Sequence, residues 1–279
     1  MVGFSVATWN INSVRLRLSM VLDYLKEHQP DILCLQEIKC INDSFPRKAF
    51  MEAGYPYLAI NGQKSYNGVA IISRLPLLQV YQQQFCQIVD SRHIAASFRV
   101  GTQNILLHNF YVPAGGEDPD LENNPKFRHK IDFLYEMKEF LHNIRVQQKD
   151  FKNFSTILLG DLNIAPFPDD VWSHKHMQNI ISHTKLEREL LIHVMEHGEW
   201  VDIMRQMWPQ PEKLYSWWSY RAKDYKKSNK GRRLDHIWTS KDLQEQVKDI
   251  HIHHEARGFE RPSDHVPIKA FFMAKGTVS

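Results

Sequence analysis

Cysteine is scarce: the chain has three, Cys34, Cys40 and Cys86, and no C-x-x-C pair among them. That excludes a disulfide framework or a zinc ribbon as the organising device and points to a reducing compartment. Long apolar runs are missing too. None approaches the roughly 18 residues that a membrane helix needs, and Met1-Val2-Gly3-Phe4-Ser5 carries no basic stretch ahead of an apolar one. The expectation is a soluble, unprocessed, cytoplasmic protein. Charge of one sign is not in excess either: 35 Lys and Arg stand against 32 Asp and Glu, a net +3 at pH 7. Bulk charge therefore implies no nucleic-acid partner, and any basic surface must be local. Gly/Ser-rich linkers, low-complexity tracts and short tandem repeats are also absent, so nothing divides the chain. With 43% hydrophobic residues over 279 positions there is enough apolar surface for a core, which excludes a disordered chain. A single domain spanning 1–279 is expected.

What is present is an alternation of strands and helices. Short apolar runs rich in β-branched residues predict buried strands at Phe4 to Thr8, Ile32 to Leu35, Val69 to Ile72, Ile105 to Leu107, Thr156 to Leu159 and Ile268 to Phe272. Leu18, Val21, Leu22 and Leu25 repeat at helical spacing and stop before Pro30. A second helix starts at Asn124-Pro125 and carries Phe127, Ile131, Leu134, Met137, Leu141 and Ile144 on one stripe; a third opens with the capping box Thr184-Lys185-Leu186-Glu187 and closes at Gly198. The pattern predicts an α/β domain.

Polar residues follow four of these strands: Trp9-Asn10-Ile11-Asn12, Gln36-Glu37, His108-Asn109-Phe110-Tyr111 and Gly160-Asp161-Leu162-Asn163. One such residue is a strand-end cap; four sets suggest a shared rim, because ligands bind beyond the carboxyl ends of strands in α/β sheets. Asn10, Glu37, Asp161 and Asn163 form an all-oxygen donor set, suited to Mg²⁺ or Mn²⁺ and unsuited to zinc. Near the C-terminus, Ser263-Asp264-His265-Val266-Pro267 sets a carboxylate beside an imidazole. Neighbours in extended chain point to opposite faces, so His265 needs a partner other than Asp264, and Asp235 is the candidate.

Taken together these residues resemble the exodeoxyribonuclease III and AP endonuclease family of the endonuclease/exonuclease/phosphatase superfamily. Seven motifs run in family order along nearly the whole chain: Thr8 to Arg15, Leu35 to Lys39, Gly62-Gln63-Lys64 with Asn67 to Ala70, Asn109 to Pro113, Gly160 to Pro166, Arg233-Leu234-Asp235, and Ser263 to Pro267. The resemblance implies a four-layer α/β sandwich, two packed mixed β-sheets flanked by helices, and a Mg²⁺-dependent phosphodiesterase, Mn²⁺ substituting, that incises DNA at abasic sites or digests duplex DNA from the 3′ end. It implies that Glu37 holds the metal, helped by Asn10 and Asp264, with Asp161 and Asn163 also among the metal-site residues. Asp161 would position or deprotonate the attacking water with Asn163 beside it on the phosphate, His265 oriented by Asp235 would polarise the phosphate, and Tyr111 would contact it. The partner implied is double-stranded DNA, abasic or 3′-blocked, bound by a monomer. The chain departs from the family at Ala114, where many members carry Gln before the glycine.

Residues 201 to 240 hold nine Lys/Arg against four Asp/Glu. Arg221, Lys226, Lys227 and Lys230, with Trp217 and Trp218 upstream, combine cations with aromatic faces as a DNA-gripping loop does, and a solvated loop is the plainer alternative. Arg15, Arg17, Lys64 and Asn67 would extend the rim. Rival readings are a superfamily phosphodiesterase acting on RNA or another phosphoester, a non-catalytic DNA-binding module, and a zinc protease through His193-Val194-Met195-Glu196-His197. The last competes with a simpler account in which those side chains lie on the polar stripe of the third helix, its last-turn histidines facing the negative end of the helix dipole.

Overall fold

In the computed structural model, residues 1–147, 153–221 and 224–276 are described. In chain order the strands are β1 (Val2–Asn10), β2 (Ile32–Gln36), β3 (Tyr57–Asn61), β4 (Val69–Ser73), β5 (Gln79–Tyr81), β6 (His93–Val100) and β7 (Gln103–Tyr111). They continue with β8 (Ser155–Asp161), β9 (Val201–Asp202), β10 (Trp217–Trp218), β11 (Gly231–Arg232), β12 (Asp235–Thr239), β13 (Val247–Ile252) and β14 (Ile268–Ala274). Two six-stranded mixed sheets result, ordered β13-β14-β1-β2-β4-β3 and β5-β6-β7-β8-β12-β9, with β10 and β11 a separate ribbon.

Residue parity decides which sheet face each side chain takes. In β1, Phe4 and Val6 turn toward the second sheet, where Phe4 meets Phe98 of β6 edge-on with ring centroids 6.0 Å apart. In β7 and β8, Ile105, Leu107, Ile157 and Leu159 join that same inter-sheet core, whereas Phe110 and Leu158 lie in the layer under the helices. The helix Leu18–His28 covers the outer face of the first sheet through Met20, Val21, Tyr24 and Leu25. Pro125–Gln147 and Lys185–His197 cover the second, packing Phe127, Met137, Leu191 and Val194 against Phe110, Leu158 and Trp238. The expected four-layer α/β sandwich is the observed fold. The capping box also forms: Thr184 accepts from the Glu187 amide, while the Glu187 carboxylate takes the Thr184 amide at 3.1 Å and pairs with the buried Lys130 ammonium.

Strand direction fixes where the polar ends go. β1 and β2 are parallel, as are β7 and β8, so Asn10, Gln36, Tyr111 and Asp161 all end at one rim. β12 runs antiparallel to β8 with Asp235 opposite Asp161, which brings its first residue to that rim. β14 runs antiparallel to β1, pairing Ile268 with Thr8, so the preceding His265 arrives there too.

Among the described residues no helix is long and apolar enough to cross a membrane. The three cysteines are free thiols.

Gly160, immediately before Asp161, has φ +136°, and a Cβ there would meet the Phe110 carbonyl oxygen of β7 at 2.0 Å. Gly160→Ala therefore combines backbone strain with a clash against a ladder that cannot yield. The expected cost is on the order of 3 kcal/mol in denaturant unfolding; a loss below about 1 kcal/mol would show that β8 relaxes freely.

Candidate active site

The site forms where the two sheets present their polar rim. Asn10, buried at the end of β1, donates from one amide nitrogen to Glu37 Oε1 and to Asp161 Oδ2, both at 2.9 Å. Its amide oxygen accepts from the Asn12 backbone at 3.1 Å. Glu37 also accepts from the Tyr111 hydroxyl at 2.9 Å and pairs with Lys39 at 2.8 Å, and Lys39 bonds Asn12 Oδ1 at 2.6 Å. Burial opposes ionisation of Glu37, but the adjacent Lys39 charge and hydrogen bond, with Asn10 and His265, hold its pKa below the ordinary carboxylate value.

Behind this ring Gln36 donates to Thr8 Oγ1 at 3.0 Å and to Asn109 Oδ1 at 2.7 Å, and Asn109 donates to the Leu35 and Ala70 carbonyls. This buried network is satisfied across both sheets and fixes the height of one rim against the other.

His265 Nδ1 lies 2.8 Å from Asp235 Oδ2, and its Nε2 lies 3.6 Å from Asp161 Oδ2. Burial pushes the imidazole down, but Asp235, then Asp161, and also Asp264 outweigh it and hold the pKa up at about 10. His265 is thus an imidazolium at neutral pH, donating to Asp235. Asp161 is pushed up to about 7, chiefly by burial and with help from Asp235 and Glu37, against the pull of His265 and the Asn10 hydrogen bond. A carboxylate that titrates near neutrality is suited to general-base work. Asn163 steadies it: its backbone amide donates to Asp161 Oδ1 at 2.9 Å, while its side-chain nitrogen donates to the Val112 carbonyl at 2.9 Å and to Asp161 Oδ2 at 3.2 Å.

Asn12, Glu37 and Asn163 all sit at left-handed φ, +47°, +49° and +54°. Such conformations cost on the order of 1–3 kcal/mol each in non-glycine residues and concentrate at functional sites.

Asp264 accepts from Asn12 Nδ2 at 3.3 Å and from Trp217 Nε1 at 2.9 Å. It flanks the ring through these two bonds. Asp161, Asp235 and His265 do converge, with ligand-type atoms within 4.8 Å of one another. Glu37 and Asp161 supply the carboxylate oxygens here, held by N–H donors of Asn10 and Asn163, and the Lys39 ammonium already sits against Glu37 and Asn12; a hard cation suits those carboxylates.

Several sequence expectations need correction. Trp218 is 3% exposed, packed edge-on to Tyr215, Tyr225 and His254 and bonded to Asn229. It is a core residue and presents no face for stacking on a base. Trp217 is half-buried, bonded to Asp264, with the Arg232 guanidinium 4.8 Å over its ring. Arg17 is 8% exposed and donates to the Ile11, Arg261 and Pro262 carbonyls and the Tyr220 hydroxyl, so it pins loops and adds nothing to the rim. Arg233 is fully buried between Asp170 and Asp202, and Arg205 pairs with Asp170 as well, so these cations of the basic segment offer no free charge. Arg15, Lys64, Arg221, Lys226, Lys227 and Lys230 are exposed; Lys230 lies 4.6 Å over the Trp172 ring. Asn67 bonds Gln63 at 2.9 Å and holds a turn at φ +46°.

His193, Glu196 and His197 are exposed on their helix, and among the described residues they form no converging ligand group. The zinc-protease reading loses its site.

Sequence reasoning missed Arg92, whose guanidinium lies 4.8 Å over the Tyr111 ring, and Ser216, whose hydroxyl accepts the Leu234 and Asp235 amides at 3.0 Å. No local motif marks them, since each acts across the fold; Trp9, within the first motif, donates its indole N–H to the His265 carbonyl at 3.1 Å.

Comparison with known proteins gives a consistent picture. The profile of the Endonuclease/Exonuclease/phosphatase family matches residues 7–265. The chain is 31% identical over 266 residues to an exodeoxyribonuclease of Bacillus subtilis, covering 94% of this chain and 96% of that one. It is 28% identical to exodeoxyribonuclease III of Haemophilus influenzae, covering 95% and 98%. Among solved structures, a 3′ phosphatase from Neisseria bound to a product DNA hairpin superposes with a TM-score of 0.87 at 32% identity, over 97% of this chain and 100% of that one. An AP endonuclease from Archaeoglobus fulgidus gives 0.86 at 32% identity over the same shares.

The raised pKa of His265 has a testable sign. Its contribution to stability is fully present below pH 6.5, the ordinary imidazole value, and is lost as pH rises through about 10. Followed by NMR, the His265 ring is expected to titrate near 10, and in Asp235→Asn to fall by several units, because burial then acts with one counter-charge fewer. An unchanged titration in Asp235→Asn would remove Asp235 as the source of the shift.

Proposed function

Because the chain belongs to the endonuclease/exonuclease/phosphatase family, we propose that it is a metal-dependent hydrolase that cleaves phosphodiester bonds in DNA during repair, incising at abasic sites, trimming 3′ ends, or both, with 1–279 acting as one catalytic domain. The observation that carries this reading is the His265–Asp235 pair set 3.6 Å from Asp161, beside the Glu37 and Asp161 carboxylates that Asn10 bridges. The exodeoxyribonuclease and AP endonuclease names of the relatives support DNA as the polymer.

Glu37, Asn10 and Asp161 would hold the divalent ion, Mg²⁺ with Mn²⁺ as substitute, and Asn163 and Asp264 would complete its surroundings. When bound, the ion supplies charge neutralisation at the phosphate oxygens. The remaining work falls to this chain's side chains. Asp161 takes a proton from the attacking water as general base, and Asn163 holds that carboxylate in place. The His265 imidazolium presents Nε2 to a non-bridging phosphate oxygen as negative charge develops there, and Asp235 keeps the ring charged and aimed. Tyr111, whose hydroxyl donates to Glu37 here, would redirect that single proton to the phosphate.

Arg15, Lys64, Arg221, Lys226, Lys227 and Lys230, all exposed, would meet the DNA backbone of a monomeric enzyme, with Asn67 and Trp217 nearer the cleavage point.

Three substrates separate the possibilities: duplex DNA with one abasic site, an undamaged duplex with a recessed 3′ end, and single-stranded RNA, each with Mg²⁺ and with chelator. Cleavage of either DNA in Mg²⁺ and none in chelator is expected. RNA cleavage alone would replace the DNA reading with that of another superfamily phosphodiesterase. Glu37→Gln should lower turnover at least 100-fold at millimolar Mg²⁺; activity within threefold of wild type would remove Glu37 from the metal site.

Neutralising Lys226, Lys227 and Lys230 together should reduce the slope of log affinity against log salt by up to about 0.9 per lost phosphate contact, raising KM while turnover at saturation stays near wild type. An unchanged salt slope would take this loop out of the DNA interface.

A further inference from the structure

A second cluster lies on the other face of the first sheet. His28 closes the helix Leu18–His28, His253 follows β13, and Glu255 lies in the first turn of the short helical segment His254–Gly258. One ligand-type atom from each of His28, His253 and Glu255 lies within 4.8 Å of the others. The His28 and His253 rings are 4.1 Å apart between centroids, and the His251 ring is 4.3 Å from that of His253. His253 Nδ1 is 3.2 Å from Glu255 Oε1. We propose that His28, His253 and Glu255 form a binding site for a divalent transition-metal ion of the Zn²⁺ class, separate from the catalytic rim.

The donor chemistry selects the ion. Two imidazoles and one carboxylate suit Zn²⁺, Co²⁺ or Ni²⁺ and not Mg²⁺, which asks for six oxygens. The positions are also poised. His253 is 3% exposed and held by its backbone amide, which donates to the Pro267 carbonyl at 2.9 Å, whereas His28 is half-buried at a helix end and Glu255 is exposed. One fixed ligand and two adjustable ones let the atoms close toward the separation of roughly 3.4 Å that tetrahedral bonds of about 2.0–2.1 Å require.

Two polar atoms at this place have no hydrogen-bond partner although they are buried: His253 Nε2 and the Tyr24 hydroxyl. Tyr24 packs against both histidines, with ring centroids 4.8 Å from His28 and 5.2 Å from His253. Orphan polar atoms of this kind are rare in native folds and mark places built for a further group. His253 Nδ1 lies against Glu255 while its Nε2 has no partner, so the ring presents an open nitrogen to a metal.

An ion here would tie the helix Leu18–His28 to the segment after β13. That helix carries Tyr24, which packs edge-on against Trp9 at 5.5 Å, and Trp9 bonds the His265 carbonyl. The clamp therefore backs the wall from which the catalytic rim rises without touching it.

Titration calorimetry with ZnCl₂ on the full chain, and Co²⁺ absorption as a probe of coordination, test the proposal without reference to cleavage. The Glu37→Gln protein serves as background, so that ions at the catalytic rim do not count. The expected result is one Zn²⁺ per chain with Kd on the order of 1 µM or tighter, tetrahedral Co²⁺ bands, and a melting temperature that rises with Zn²⁺. His28→Gln and Glu255→Gln, both at accessible positions, should keep the metal-free melting temperature, retain Mg²⁺-supported cleavage in the Glu37 background, and bind Zn²⁺ about 100-fold more weakly. Unchanged Zn²⁺ affinity in both variants, or no Zn²⁺-dependent rise in melting temperature in the Glu37→Gln protein, would overturn the site and leave a packed histidine cluster. Loss of cleavage by the wild-type chain in all DNA assays, with Zn²⁺ binding intact, would instead count against the catalytic reading alone.

Discussion

One amide nitrogen holds the rim together. Asn10 Nδ2 donates to Glu37, which follows a strand of the first sheet, and to Asp161, which ends a strand of the second. The donor offsets part of the repulsion between them, because like charges brought together out of water each raise the cost of ionising the other. The amide in turn is fixed only while the sheets stay packed face to face. The inter-sheet core of Phe4, Phe98, Leu107 and Ile157, and the buried chain Thr8–Gln36–Asn109, therefore set the geometry of the rim as much as its own residues do.

The electrostatics follow from that packing. Glu37 is held ionised by Lys39, Asp161 is pushed toward neutrality by burial, and His265 is held charged by Asp235. Two carboxylates and an imidazole side by side acquire different charge states because each has a different nearest partner. A separate buried network, Asp170 with Arg205 and Arg233 and Asp202 with Arg233, lies under the basic segment. It consumes cations that a charge count assigns to the surface. Breaking such a network costs far more than breaking an exposed pair, since the remaining charge stays buried. The segment's structural share and its surface share are thus carried by different residues, Arg233 by the first and Lys226, Lys227 and Lys230 by the second.

The parts of this protein readable from the sequence are those set by local periodicity. The apolar runs at Phe4 to Thr8, Ile32 to Leu35, Val69 to Ile72, Thr156 to Leu159 and Ile268 to Phe272 all lie within observed strands, and the Thr184 capping box opens the helix Lys185–His197. Strand β6, His93–Val100, escaped notice because His93, Ser97 and Arg99 interrupt its apolar run; the two-residue strands β9, β10 and β11 carry too little pattern to see. The alternation of side chains in extended backbone likewise marked Asp264 as poorly placed to orient His265, and a carboxylate some thirty residues away, Asp235, lies 2.8 Å from its ring.

Exposure was decided only by the tertiary structure. Trp217 and Trp218 are adjacent and identical in type, yet one borders the rim and the other is core, because the β10–β11 ribbon folds one face onto Tyr215 and Tyr225. Arg15 and Arg17 are equally basic and two residues apart, but Arg17 meets the carbonyls of a loop some 240 positions further along. The sequence determined which side chains follow which strands, since that depends on neighbours along the chain. Which of them meet, and which charges survive at the surface, depended on contacts between segments far apart in sequence, where strand direction and sheet packing act and no local pattern carries the information.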